Sequence, residues 1–191
     1  EGTAGCVRAV IQGSLTYNGP IKLFYRGSMF RHENVQKGRQ RQFHQLGIES
    51  FGLTDPASDA EQIIMLSRLW ESLGLEKKIR LEINSIGDID DRERYRKELI
   101  DYFEKNTEIL DEDSKRRLYK NPMRILDSKN PQMQDMLEKA PKLIDSINED
   151  AKKHFNSLCQ ILKDNQVDFK LNKRLVRGLD YYNRTVFEWI T

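Results

Sequence analysis

Between Asp88 and about Asn165 the chain gives up one periodicity for another, and then it returns to the first. Before Gly87 and after Asn165, apolar residues alternate with polar ones, as in "KKIRLEINSIG", where Ile79, Leu81 and Ile83 are separated by charged or polar neighbours. The intervening stretch is rich in charge and spaced helically. In "DRERYRKELIDYFEKN", Tyr95, Leu99, Tyr102 and Phe103 form one stripe. A period of two puts neighbours on opposite faces of a strand, and a period near 3.6 gathers every third or fourth residue on one helix face. A chain that switches twice is expected to be an α+β fold in which a strand-rich domain is interrupted by a small helical one. The divisions read as 1–87, 88–165 and 166–191.

Within the first division the pattern favours strands at "CVRAVIQ", "PIKLFYRGSMFRHE" and "QRQFHQLGIESFG", with a turn at "NGP" and a polar loop around Asn34 to Gly38, an antiparallel arrangement. A helix follows in "DPASDAEQIIMLSRLWESLGL", with Asp55 or Ser58 as its cap and Ile63, Leu66, Leu69, Trp70 and Leu73 at helical spacing. Asn121-Pro122 and Asn130-Pro131 break the helical division into short pieces, because a residue before proline is steered away from helical geometry. The last division returns to strands around a turn containing Gly178.

Composition narrows the functional classes. The 191 residues are 38% hydrophobic and 32% charged, which suits a soluble globular protein, and no apolar run approaches the roughly 20 residues of a membrane span. The amino terminus has neither a basic leader nor an apolar segment, so no signal peptide is expected. Cys6 and Cys159 lie far apart without metal-ligand spacing, which argues against a disulfide framework or zinc site and for a reducing, cytoplasmic setting. The net charge of +2 leaves any attraction for nucleic acid to local patches. Starting at Glu1 without methionine and stopping at Thr191 directly after "TVFEWIT", the chain reads as a piece of a longer protein.

The chemistry concentrates in "FYRGSMFRHENVQKGRQRQFHQLGIESFG", Phe24 to Gly52. In a regular strand Arg39, Arg41, Phe43, Gln45, Gly47 and Glu49 share a face, and that face is odd for a core. Phe43 offers a stacking surface, Gln45 an amide and Glu49 a carboxylate, while Gly47 leaves a gap where a ligand could lie. Arg31 before the loop and Arg39 after it could clamp a polyphosphate, since the planar guanidinium donates paired charge-assisted hydrogen bonds. A solvated hairpin with charged edges would show the same pattern. No GxxxxGK[ST] loop competes for the phosphate role. In "LVRGLDYYNRTVFEW", Arg177, Asp180, Tyr181 and Tyr182 fall in a turn between strands, polar groups that are costly without partners or a ligand, although paired tyrosines could equally be core aromatics. His32 and His44 read as hairpin residues and His154 as a surface helix position.

"FRHENVQKGRQRQFHQLGIESFG" resembles motif 2 of class II aminoacyl-tRNA synthetases, and "RGLDYYNRTVFEW" resembles the signature of the histidyl-tRNA synthetases, bacterial type. The opening "EGTAG" is similar to the end of that family's amino-acid-binding loop. The resemblance runs through the whole chain, helical insertion included. It implies the class II antiparallel sheet with flanking helices, and a partial catalytic domain that lacks motif 1, motif 3 and the anticodon-binding domain. It further implies ATP with Mg²⁺, histidine and its tRNA as partners, and a cytoplasmic homodimer in the full-length protein. No protein side chain is implied as a metal ligand.

Carried onto this sequence, the resemblance assigns Arg31 and Arg177 to the α-phosphate and the histidine carboxylate. Glu33 goes to the adenine or nucleotide region, Arg39 to the γ-phosphate, and Phe43 to stacking on adenine. Glu1, Thr3 and Gln45 surround the α-amino group. Glu49 and Tyr182 take the imidazole nitrogens, with Tyr181 in the same pocket. Lys115, Arg116, Arg117 and Lys120 would face the tRNA acceptor stem, against the plainer reading of a solvated helix with acidic neighbours. A histidine-sensing regulatory paralogue is the alternative, and such a protein need not keep the arginines or the insertion.

Overall fold

The computed structural model describes residues 1–176 and 181–191. The chain forms two compact units, residues 1–58 and 59–191.

In the first unit, helix α1 (Gly2–Gln12) precedes a hairpin of β1 (Ile21–Phe30) and β2 (Gln42–Phe51). The strands pair antiparallel, with Leu23 opposite Glu49, Tyr25 opposite Gly47, Gly27 opposite Gln45 and Met29 opposite Phe43. Burial alternates strictly along β1, as the sequence pattern requires. Beyond β1 the Arg31 amide donates to the Arg41 carbonyl at 2.8 Å, and Gln36 and Arg39 close the loop, with Gly38 at φ +77 supplying the left-handed turn. The expected strand at "CVRAVIQ" is instead the body of α1. Its more shielded positions are Thr3, Cys6, Val7 and Val10, spaced by three and four, so a helix turns them all toward one side whereas a strand would split them.

The second unit holds most of α2 (Pro56–Ser72), whose Asp55 carboxylate accepts the Ser58 amide at 3.1 Å as an amino-terminal cap. A three-stranded sheet has the order β4-β3-β5, from β3 (Arg80–Ser85), β4 (Phe169–Leu171) and β5 (Thr185–Ile190). β5 runs antiparallel to β3, but β4 runs parallel to it. A parallel pairing needs a long crossover, and the helical segment between the two strands provides it.

That segment contains α3 (Ile89–Glu104), α4 (Glu112–Arg117), α5 (Gln134–Lys139), α6 (Leu143–Ser146) and α7 (Glu149–Asp164). The two prolines start 3₁₀ turns at Pro122–Asp127 and Pro131–Met133. Tyr95, Leu99 and Phe103 of the α3 stripe are fully buried in a cluster that also takes in Ile86, Leu175, Val176 and Val186 beside the sheet. A second cluster packs Ala60 and Ile63 of α2 and Phe155, Leu158 and Leu162 of α7 on Leu81 and Ile83 of β3. His154 is not a surface residue. It is 8% exposed on α7 with Nε2 3.7 Å from the Asp59 carboxylate, because its helix face is the one that meets α2.

Candidate functional site

The hairpin face that packs with α1 carries Tyr25, Gly27, Phe43, Gln45, Gly47 and Glu49, and its open end carries the arginines. Arg31 forms a two-pronged pair with Glu1, Nε to Oε1 at 2.5 Å and Nη2 to Oε2 at 2.9 Å, and its guanidinium lies 5.1 Å from the Phe43 ring centre. Glu33 takes Arg39 at 3.0 Å and stands 3.8 Å from Arg31, while Arg41 donates to the Glu33 carbonyl at 3.1 Å. Residues from α1, the end of β1 and the loop thus converge on one chain of alternating charge. The hydrogen bond from Arg31 holds the Glu1 carboxyl below its usual range, and Glu1 in turn raises Arg31.

The gap expected over Gly47 is filled by the ring of Tyr25. A Cβ on Gly47 would fall 2.0 Å from the Tyr25 Cζ, and one on Gly2 would fall 2.1 Å from its Cε2, so both glycines exist to let this ring lie flat between strand and helix. The Tyr25 hydroxyl is 3.4 Å from the Thr3 hydroxyl. Reading β2 alone missed Tyr25. Pairing the two strands in register, which sets Tyr25 against Gly47, is the signal that finds it. Beside it the Gln45 amide oxygen is buried without a hydrogen-bond partner among the described residues, an acceptor shielded from water. Glu49 makes no ion pair with any described residue.

In the second unit Tyr181 and Tyr182 stack, with ring centres 4.8 Å apart and planes inclined 21°. Tyr182 packs on the cluster of the helical segment and Tyr181 is 67% exposed. Arg177 lies outside the described residues. On α4, Lys115 pairs with Glu112 at 3.0 Å, and Arg116 and Arg117 pair with Asp113 at 3.5 and 2.6 Å. Each of these three cations is thus engaged by an acid of its own helix. Lys120 carries no ion pair among the described residues.

This hairpin, with the Arg31 guanidinium over the Phe43 ring, and this mixed sheet fit the aminoacyl-tRNA synthetases of the second structural class. The crystal structure of apo Staphylococcus aureus histidyl-tRNA synthetase superposes with a TM-score of 0.77 at 37% identity, over 99% of this chain and 44% of that one. The family model described as histidyl-tRNA synthetase matches residues 1–191, and the chain belongs to that family. Histidine–tRNA ligases of Methylobacillus flagellatus and Cupriavidus taiwanensis are 62% and 58% identical to it over the whole chain. The chain spans 46% and 42% of the length of those two relatives.

Proposed function

We propose that this chain forms the motif 2 part of a histidine–tRNA ligase. The full-length enzyme first joins histidine to AMP and then passes it to tRNA. The observation that carries the reading is the hairpin end, where Arg31, Arg39 and Phe43 are held together by Glu1 and Glu33. Guanidiniums that fit carboxylate forks fit phosphate oxygens by the same geometry.

In the first step a carboxylate oxygen of histidine attacks the α-phosphorus of ATP. The bond to the bridging oxygen breaks, and its electron pair leaves with pyrophosphate. Arg31 and Arg177 stabilise the charge that gathers on the α-phosphoryl oxygens, Arg39 holds the γ-phosphate, and Phe43 stacks on adenine. Glu33 lies toward the nucleotide. Mg²⁺, bound with ATP, would supply further positive charge to the polyphosphate.

The α-ammonium of histidine is taken by Glu1, Thr3 and the unpartnered Gln45 oxygen. Imidazole presents nitrogens on two sides of its ring. A carboxylate at Glu49 and a phenol at Tyr182, beside Tyr181, reject amino acids that lack this pair. In the second step a terminal ribose hydroxyl of tRNA attacks the carbonyl carbon and AMP leaves. Lys115, Arg116, Arg117 and Lys120 face the acceptor stem, each exchanging a carboxylate or water for a phosphate. The catalytic domain comprises 1–87 and 166–191, with 88–165 inserted, and the full-length protein works as a cytoplasmic homodimer.

The test is amino-acid-dependent ATP–pyrophosphate exchange by the full-length protein. Exchange is expected with histidine alone, and it should be lost in Arg31→Ala and Arg177→Ala variants that retain their fold. Histidine binding without exchange in the unaltered protein would overturn the reading in favour of a regulatory paralogue.

A further inference from the structure

The most completely buried carboxylate among the described residues of the second unit plays no part in the chemistry above. Asp91, 1% exposed, accepts the Asp88 amide at 3.0 Å and the Asn148 amide and side chain at 3.2 and 2.8 Å, and it pairs with Arg94. Asn148 caps α7 through the Ala151 amide at 2.8 Å and also donates to Asp88 at 3.0 Å. Asp88 caps α3 and accepts Arg184 Nε at 3.0 Å. The Arg184 backbone closes the knot, its amide donating to the Gly87 carbonyl and its carbonyl accepting the Ile86 amide, both at 2.8 Å. It does so at φ +54, a conformation a non-glycine residue holds only when its surroundings fix it. A Cβ on Gly87 would fall 2.6 Å from the Asp91 carboxylate, so the knot has no slack.

Three stretches of chain are thereby tied together: the start of the helical segment, the start of its last helix, and the residues that follow Tyr181 and Tyr182. The stretch preceding the tyrosines is tied to the same segment. Arg174 donates to the Leu126 carbonyl at 3.0 Å and the Gln134 side chain at 3.3 Å, and Leu175 and Val176 lie in the helical cluster on which Tyr182 also packs. The described residues on both sides of 177–180 are thus seated on the helical segment and on β3, whose Asn84 side chain donates to the Leu175 carbonyl at 3.0 Å.

We infer that Asp88 and Arg184 are positioning residues for histidine recognition, and that the helical segment is the seat that sets where Tyr182 stands. This rests on the ligase reading of Tyr182. An ion pair two residues from a ligand-binding phenol fixes the backbone that carries it, and a misplacement on the order of 1 Å in such a group has large effects on binding and rate. Asp88→Asn is a selective probe, because asparagine still caps α3 and still bonds Asn148 while it loses the charge that holds Arg184.

The experiment is pyrophosphate exchange by the full-length enzyme, with KM measured separately for histidine and for ATP in Asp88→Asn, Arg184→Gln and the double variant. The expected result is a KM for histidine raised about tenfold in each. The KM for ATP should stay within about twofold, and the double variant should be no worse than either single one, as two members of one pair require. An unchanged KM for histidine, or histidine and ATP values rising in parallel, overturns the inference and leaves the ligase reading standing. Absence of exchange in the unaltered enzyme overturns both.

Discussion

The two units use charge in opposite ways. In residues 1–58 the ion pairs lie at the surface and Val10 is the one buried apolar residue among those described, while the hairpin's second face leaves Phe24, Phe30 and Leu46 open to solvent. In residues 59–191 two apolar clusters carry the packing, and the charges of Asp88, Asp91 and Arg184 are drawn into a knot between backbone segments. A guanidinium on a half-exposed face can trade its carboxylate for a ligand at small cost. Arg184, a third exposed and tied through side chain and backbone to the network around the buried Asp91, is held more firmly. The difference separates charges that bind from charges that hold.

The comparison breaks first at the core. Phe103→Ala should destabilise the helical segment by about 3–5 kcal/mol, whereas Leu23→Ala on the half-buried hairpin face should cost roughly 1 kcal/mol, both read by hydrogen exchange of amides in each unit. Equal losses would mean that the hairpin is as tightly packed as the helices. Gly87→Ala comes next, at about 2 kcal/mol or more, since it adds a clash with Asp91 to a left-handed backbone. Tyr95→Phe should cost about 1 kcal/mol, leaving the Pro141 carbonyl without its donor at 2.7 Å.

A smaller effect is a pH dependence. Hydrogen bonds from Arg184 and Asn148 hold the Asp88 carboxyl below its ordinary value, so folding favours the charged form. Its stabilisation is complete above about pH 4 and is lost as pH falls through the lowered value. Protection of the first turn of α3 should therefore fall more steeply below about pH 4 in the unaltered protein than in Asp88→Asn. Smallest of all, Glu1→Gln should leave the melting temperature unchanged, as an exposed pair predicts, while weakening histidine-dependent exchange.

Much of this contrast could be read from residue order. The α3 stripe and the hairpin strands follow directly from periods of 3.6 and two, and the Asp55 cap follows from its place before an apolar run. The helix at "CVRAVIQ" was obscured because a short apolar run with β-branched residues satisfies either period, and only its packing on the hairpin decides. Burial of His154 depends on α2, far away in sequence, and the parallel partner of β3 is likewise distant, in β4 beyond the helical segment. In the candidate site the arginines announce themselves by type. Tyr25 does not, since its role comes from lying across two glycines that both belong to other elements, Gly47 on β2 and Gly2 on α1.

The order of the strands also has a consequence in time. β3 is the central strand of its sheet, yet both of its neighbours come after the helical segment in the chain. Closing so long a loop loses entropy before any pairing returns it, so the sheet should be the late and slow event of folding. Until then Leu81 and Ile83, fully buried at the end, stand unpaired on a bare strand. The helical segment, whose elements from α3 to α6 pack mainly on one another, should condense first and bring β4 and β5 to the waiting strand, making it the pacemaker of the unit in which it sits.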